Sequence, residues 1–202
     1  MGPDSRYSEH RSQVGKIAER NWGVFLSLVK LAQDEATQYE LGLVELGRLL
    51  GAESFKPTGK GRTDAAWLWD GLWLTVEAKS EQTADRLSMD YVRKANTHLK
   101  SLTADRVVDT PPAGSVSVIV ANSKLVDPDA VAIAEPHLNL TTTDLLLDIA
   151  HDAHRAWAAI RTSVQADSGE AARTETTKLL WEHRILPTQI RERLSREPIR
   201  GF

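Results

Sequence analysis

The chain has 202 residues, 41% hydrophobic and 26% charged, with a formal net charge of −3, a balance that suits a globular chain with its own core and argues against coating nucleic acid through bulk positive charge. It has no cysteine, which excludes a disulfide framework and any thiolate metal site. No apolar run is long enough to span a bilayer, and Met1 to Ser12 is too polar for a signal peptide, so the expectation is one cytoplasmic domain over 1–202 with no membrane partner.

Taken in order, periodicity first predicts a helix over Arg11–Asp34, with Val14, Ile17, Phe25, Leu28 and Ala32 three or four residues apart. A second helix, about Thr37–Leu50, ends at Gly51, which can take a left-handed cap. On it Glu40 shares a face with Leu43, Val44, Gly47 and Leu50. A carboxylate on so apolar a face needs a partner if it is buried. Phe55–Arg62, FKPTGKGR, is a basic glycine-rich loop. It reads either as a solvated connection or as a phosphate-contacting loop through Lys56, Lys60 and Arg62. It lacks the GK[ST] ending of a nucleotide-binding P-loop.

Next comes RTDAAWLWDGLWLTVEAKS, Arg62–Ser80, in which Trp- and Leu-rich runs flank Asp70-Gly71. Asp-Gly between such runs predicts a two-residue hairpin turn of type I′. Counting back from it sets Trp69 against Leu72, Leu68 against Trp73, Ala66 against Thr75 and Asp64 against Glu77. Directly opposed side chains lie roughly 5 Å apart, and Lys79 falls on the face of Glu77. The hairpin thus gathers Asp64, Glu77 and Lys79 at one sheet end. Opposed carboxylates repel unless a cation intervenes. A hard divalent ion such as Mg²⁺ suits them; Lys79 alone offsets them in part. Trp67 and Trp69 belong to the other face, as core.

Beyond the hairpin, a helix over Met89–Leu102 buries Tyr91, Val92, Ala95, Leu99 and Leu102. Its Arg93 and Lys94 either face solvent or contact nucleic acid. Ser115–Asn122, SVSVIVAN, reads as a strand covered on both faces. A short helix follows Asp127-Pro128, and His137–Leu140 is a small edge strand. Thr142 or Thr143 caps a long helix to Ser163 with Leu146, Ile149, Ala153 and Trp157 on its apolar side. His151 and His154 on it read as surface or cap residues. Two C-terminal helices, Thr174–His183 and Thr188–Arg196, pack on the first helix, mediate dimerisation or touch nucleic acid.

Asp64, the hairpin and then Glu77-Ala78-Lys79 resemble the PD-(D/E)xK nuclease superfamily over about Tyr39–Asn122, although Thr63 rather than Pro precedes Asp64. The resemblance implies a restriction-endonuclease-like fold: an α/β three-layer sandwich with a central mixed sheet. The core is expected at about 37–141, with the helix 11–34 before it and a helical extension, 142–202, after it. It further implies Mg²⁺-dependent hydrolysis of DNA (Mn²⁺ able to substitute), leaving a 3′-hydroxyl on the 5′ fragment. Asp64, Glu77 and the Ala78 carbonyl would hold the metal, with Glu40 directed at the same place. Lys79 would orient or deprotonate the attacking water. Some branches carry Gln or Tyr on the next helix; Gln82 falls too early and Tyr91 fits loosely. The expected partner is DNA, bound by a homodimer or by part of a larger polypeptide or complex, with restriction or defence as natural biology. The other readings are a junction-resolving nuclease and a non-cleaving nucleic-acid-binding or assembly module.

Overall fold

A computed structural model describes residues 36–79, 86–121, 125–163 and 169–202; the expected helix Arg11–Asp34 and Gln82 lie outside the described residues. The described residues form a five-stranded sheet ordered β1-β2-β3-β4-β5. Its strands are β1 (Glu53–Phe55), β2 (Ala65–Trp69), β3 (Leu72–Lys79), β4 (Val116–Ala121) and β5 (Leu138–Thr141). The first three pair antiparallel, and β3-β4-β5 pair parallel. Parallel neighbours need crossovers. Helices α2 (Met89–Ala95) and α3 (His98–Arg106) supply the first, and α4 (Pro128–Ile133) the second. Helices α1 (Ala36–Leu49), α5 (Thr143–Ser163), α6 (Glu170–Glu182) and α7 (Pro187–Leu194) complete the described elements, with a final 3₁₀ turn at Ile199–Gly201.

The fold is an α/β three-layer sandwich around a mixed sheet. On one face, Trp67, Leu74, Val76, Val118 and Val120 pack against α1, α5 and α7. On the other, Ile119, Ala121, Leu138 and Leu140 meet α2 and α4, and Ala66 and Leu68 meet Leu102 of α3. Strand β4 is buried along its whole length, as an unalternating β-branched run requires.

Indole N–H groups fasten the first layer. Trp67 Nε1 donates to the Leu43 carbonyl at 3.0 Å, and Trp69 Nε1 to that of Leu50 at 3.2 Å. From α5, Trp157 Nε1 reaches the Leu49 carbonyl at 2.8 Å. The bonds to Leu49 and Leu50 occupy carbonyls at the C-terminal end of α1, where the helix supplies no partner, and the bond to Leu43 ties β2 to the middle of the helix.

The β2–β3 register is the expected one, from Trp69–Leu72 through Ala65–Val76. The turn is not type I′. Gly71 has φ 77° while Asp70 keeps a negative φ, so the single left-handed position falls to the residue without a Cβ. Strand β1 goes unseen in the sequence reading, because three residues carry almost no periodic signal. The single helix expected over Met89–Leu102 is two. Asn96 turns its amide to the Ile133 carbonyl (2.8 Å) and accepts from the Glu135 N–H (3.0 Å), while Thr97 Oγ1 donates to the Lys94 carbonyl (2.8 Å). Such local side-chain bonds compete with helix continuation. The break redirects the chain at His98.

The C-terminal segment closes the far sheet edge. Leu140 N–H donates to the Glu197 carbonyl at 2.9 Å, and Asn139 bridges Pro198. Covering an edge strand removes a template for unwanted pairing.

Candidate active site

The site lies where β2 begins and β3 ends. Thr63 is buried and its hydroxyl donates to the Val76 carbonyl at 2.7 Å. That bond carries the hairpin alignment one step past β2, so Asp64 arrives beside Glu77. Asp64 Oδ2 accepts the Ala78 N–H at 2.8 Å. Thr63 therefore fastens the open end of the hairpin.

Glu77 is 1% exposed, a costly position for a charge without partners. It has several. Lys94 Nζ lies 2.7 Å and Lys79 Nζ 3.2 Å from Oε1, and His98 Nε2 lies 3.1 Å from Oε2. The His98 contact is close but not aligned as a hydrogen bond, which leaves Glu77 Oε2 buried with no in-line donor. Lys79 Nζ also stands 3.9 Å over the ring of Tyr91, a cation–π contact that holds the ammonium in place.

The two carboxylates are served unequally. Burial pushes Asp64 up, the charges of Glu77 and Glu40 add to it, and the Ala78 N–H and Lys94 only partly oppose it; its pKa rises to about 6. Burial pushes Glu77 up as well, but the close His98 imidazole, the hydrogen bond from Lys94 and the charge of Lys79 outweigh it, bringing it down to about 2. Burial pulls Lys94 down, yet its bond to Glu77 and the charges of Glu77 and Asp64 win, and its pKa is raised. Glu77 thus holds most of the local positive charge while Asp64 lacks a dedicated counter-charge.

The remaining sequence-derived residues fall into two groups. Lys94, grouped by sequence with the nucleic-acid contacts, instead turns to Glu77, because the face of α2 that carries it lies over the end of β3. Arg93 pairs with Asp90 at 2.7 Å on the exposed side. Glu40 pairs with Lys56, and only its charge reaches Asp64. Arg62 pairs with Asp105 at 2.7 Å, and Lys60 is exposed. His98 escaped the sequence reading because it falls inside an apparently continuous helix. Asn96-Thr97 just before it, a pair prone to bonding its own backbone, was the available signal.

Among the described residues no group of three or more acidic or histidine side chains is assembled as a metal cage. A hydrated Mg²⁺ does not require one, since one or two carboxylates and waters suffice. The donors here, Asp64, Glu77 and the Ala78 carbonyl, are all oxygen. The poorly compensated Asp64, beside a Glu77 whose Oε1 already draws two ammonium groups, fits such an ion.

No protein-family model and no curated protein matches the sequence. Among solved structures, the chain is similar to the crystal structure of the small subunit (R.BspD6I2) of the heterodimeric restriction endonuclease R.BspD6I, at 12% identity and a TM-score of 0.41. The similarity covers 85% of this chain and 89% of that one.

Proposed function

We propose that this chain is a Mg²⁺-dependent nuclease that hydrolyses DNA phosphodiester bonds. The observation that carries the reading is the convergence of Asp64, Glu77 and Lys79 at one end of the sheet, in the register the Asp-Gly hairpin predicts. Asp64 and Glu77 would hold the ion together with the Ala78 carbonyl. Held there, Mg²⁺ would lower the pKa of a bound water and stabilise charge developing on the phosphoryl group.

The protein's own residues supply the rest. Lys79, fixed by Glu77 and the Tyr91 ring, places a positive charge beside the scissile phosphate and orients the attacking water. His98 holds the Glu77 carboxylate from behind. Glu40 tunes the field at Asp64 from the first helix. Lys56, Lys60, Arg62 and Arg93 are the candidate phosphate contacts. Such contacts position the backbone without reading sequence. Cutting both strands needs two sites, hence a homodimer or a larger assembly. A cytoplasmic role in restriction or defence would use this chemistry.

One observation favours a second reading, a non-cleaving nucleic-acid-binding or assembly module. Lys79 and Lys94 together neutralise Glu77 without any metal. Incubating plasmid, linear duplex, branched DNA and RNA with Mg²⁺, Mn²⁺ or chelator decides between them. Metal-dependent cutting supports the nuclease and names its substrate. Retention of DNA without cutting in either metal supports the module.

A further inference from the structure

We infer that Lys94 is a built-in stand-in for the divalent cation, a tethered ammonium that occupies Glu77 and must move aside when metal binds. The inference rests on the proposed metal site.

Two lysines share Glu77 Oε1, and they are held differently. Lys79 extends from β3 itself, its side chain is 15% exposed, and the Tyr91 ring lies beneath its ammonium. Lys94 comes from α2, is 39% exposed, and makes the shorter contact, 2.7 Å against 3.2 Å. Its charge acts on Asp64 as well as Glu77. The ammonium thus sits on Glu77, and only its field reaches Asp64. An exposed stem on a helix next to the site gives Lys94 room to swing into water. Lys79 has no such freedom. His98 stays behind Glu77 Oε2 and leaves the approach to Asp64 clear.

Competition between two cations for one carboxylate has a definite sign. Removing the tethered one leaves Lys79 as the ammonium on Glu77 and deepens the negative potential there. Losing one charge-assisted hydrogen bond to be displaced corresponds to roughly a ten-fold change in affinity.

The test is calorimetric titration of the full chain with Mg²⁺ alone, for the wild type, Lys94→Met, Lys94→Arg and Glu77→Gln. Lys94→Met is expected to bind Mg²⁺ about ten-fold tighter. Lys94→Arg is expected to match the wild type and Glu77→Gln to lose binding. Binding by Lys94→Met alone also supports the inference. Equal or weaker binding by Lys94→Met, with a wild type whose binding needs Glu77, overturns the inference and leaves the metal site standing. No binding by any of the four overturns the metal site and the inference together. Thermal melts of each variant without metal identify any that fail to fold. Should Lys94→Met do so, Lys94→Gln takes its place with the same expectation.

Discussion

Replacing Gly47 by Ala pits local preference against packing, and the structure decides the sign. Helix propensity alone favours Ala over Gly by about 1 kcal/mol. A Cβ on Gly47, however, would stand 2.5 Å from Ser54 Oγ and 2.6 Å from Trp67 Nε1, and nearer still to Trp67 Cδ1. Trp67 has no accessible surface, and its indole N–H is committed to the Leu43 carbonyl in the same helix. The ring cannot shift without losing that bond, worth about 1 kcal/mol, and overpacking adds about 1–3 kcal/mol. The net expectation is a destabilisation of about 2 kcal/mol, or roughly 4–8 °C in Tm for a chain of this size. Urea unfolding monitored by tryptophan fluorescence and circular dichroism measures it. The double-mutant cycle with Trp67→Leu should return the part of the penalty that the indole causes, leaving only the Ser54 Oγ contact. An unchanged or raised midpoint for Gly47→Ala would refute the close approach of α1 to β2 and, with it, the way the first layer supports the hairpin.

Glu77→Gln removes a buried carboxylate whose pKa falls from 4.5 to about 2 on folding, so it should cost about 3 kcal/mol at neutral pH. Because a lowered pKa contributes stability above the unfolded value, the gap between wild type and variant should close as pH drops from 4.5 towards 2; a pH-independent gap contradicts this. Asp64 has the opposite sign: its pKa is raised from 3.8 to about 6, so its ionisation costs the native state stability as pH climbs through that window. Without metal, Asp64→Asn should therefore be neutral or stabilising above pH 6, by at most on the order of 1–2 kcal/mol after solvent screening, and a clear loss of stability in thermal melts there would count against it. For DNA binding, each true phosphate contact removed should lower the salt dependence, log Kobs against log salt, by about 0.9. Lys60→Ala should weaken binding more than Lys56→Ala or Arg62→Ala, whose side chains first leave Glu40 and Asp105; equal effects in filter binding would argue against that ranking.

The hairpin was legible because turn chemistry and strand alternation agree: Asp70-Gly71 fixed the register, and the register fixed Asp64 against Glu77. The turn departs from the expected type I′, since a two-residue loop tolerates one left-handed position as well as two, and Asp70 avoids it. Beyond the hairpin, β4 was legible in its β-branched run and the start of α4 in the cap at Asp127, whose side chain accepts from Asp129 N–H at 2.9 Å. What sequence could not yield was anything settled by long-range partners. Asn96 breaks its helix by bonding Ile133 and Glu135 from another element. His98 and Lys94 become site residues only through that break and the crossover that lays α2 over β3. Glu40 was singled out by its apolar face, yet its partner Lys56 came from a loop sixteen residues away. Pairings of that kind depend on where loops land, which periodicity does not encode.

The central claim, that Asp64 and Lys79 perform hydrolysis at this sheet end, is tested most directly by the cleavage rate on the best DNA substrate with Mg²⁺. Wild type is compared with Asp64→Asn and Lys79→Met, each first shown to melt and to bind that DNA like the wild type. The account predicts that both variants bind and that each cuts at least ~10²-fold more slowly. Either variant cutting at the wild-type rate would contradict it.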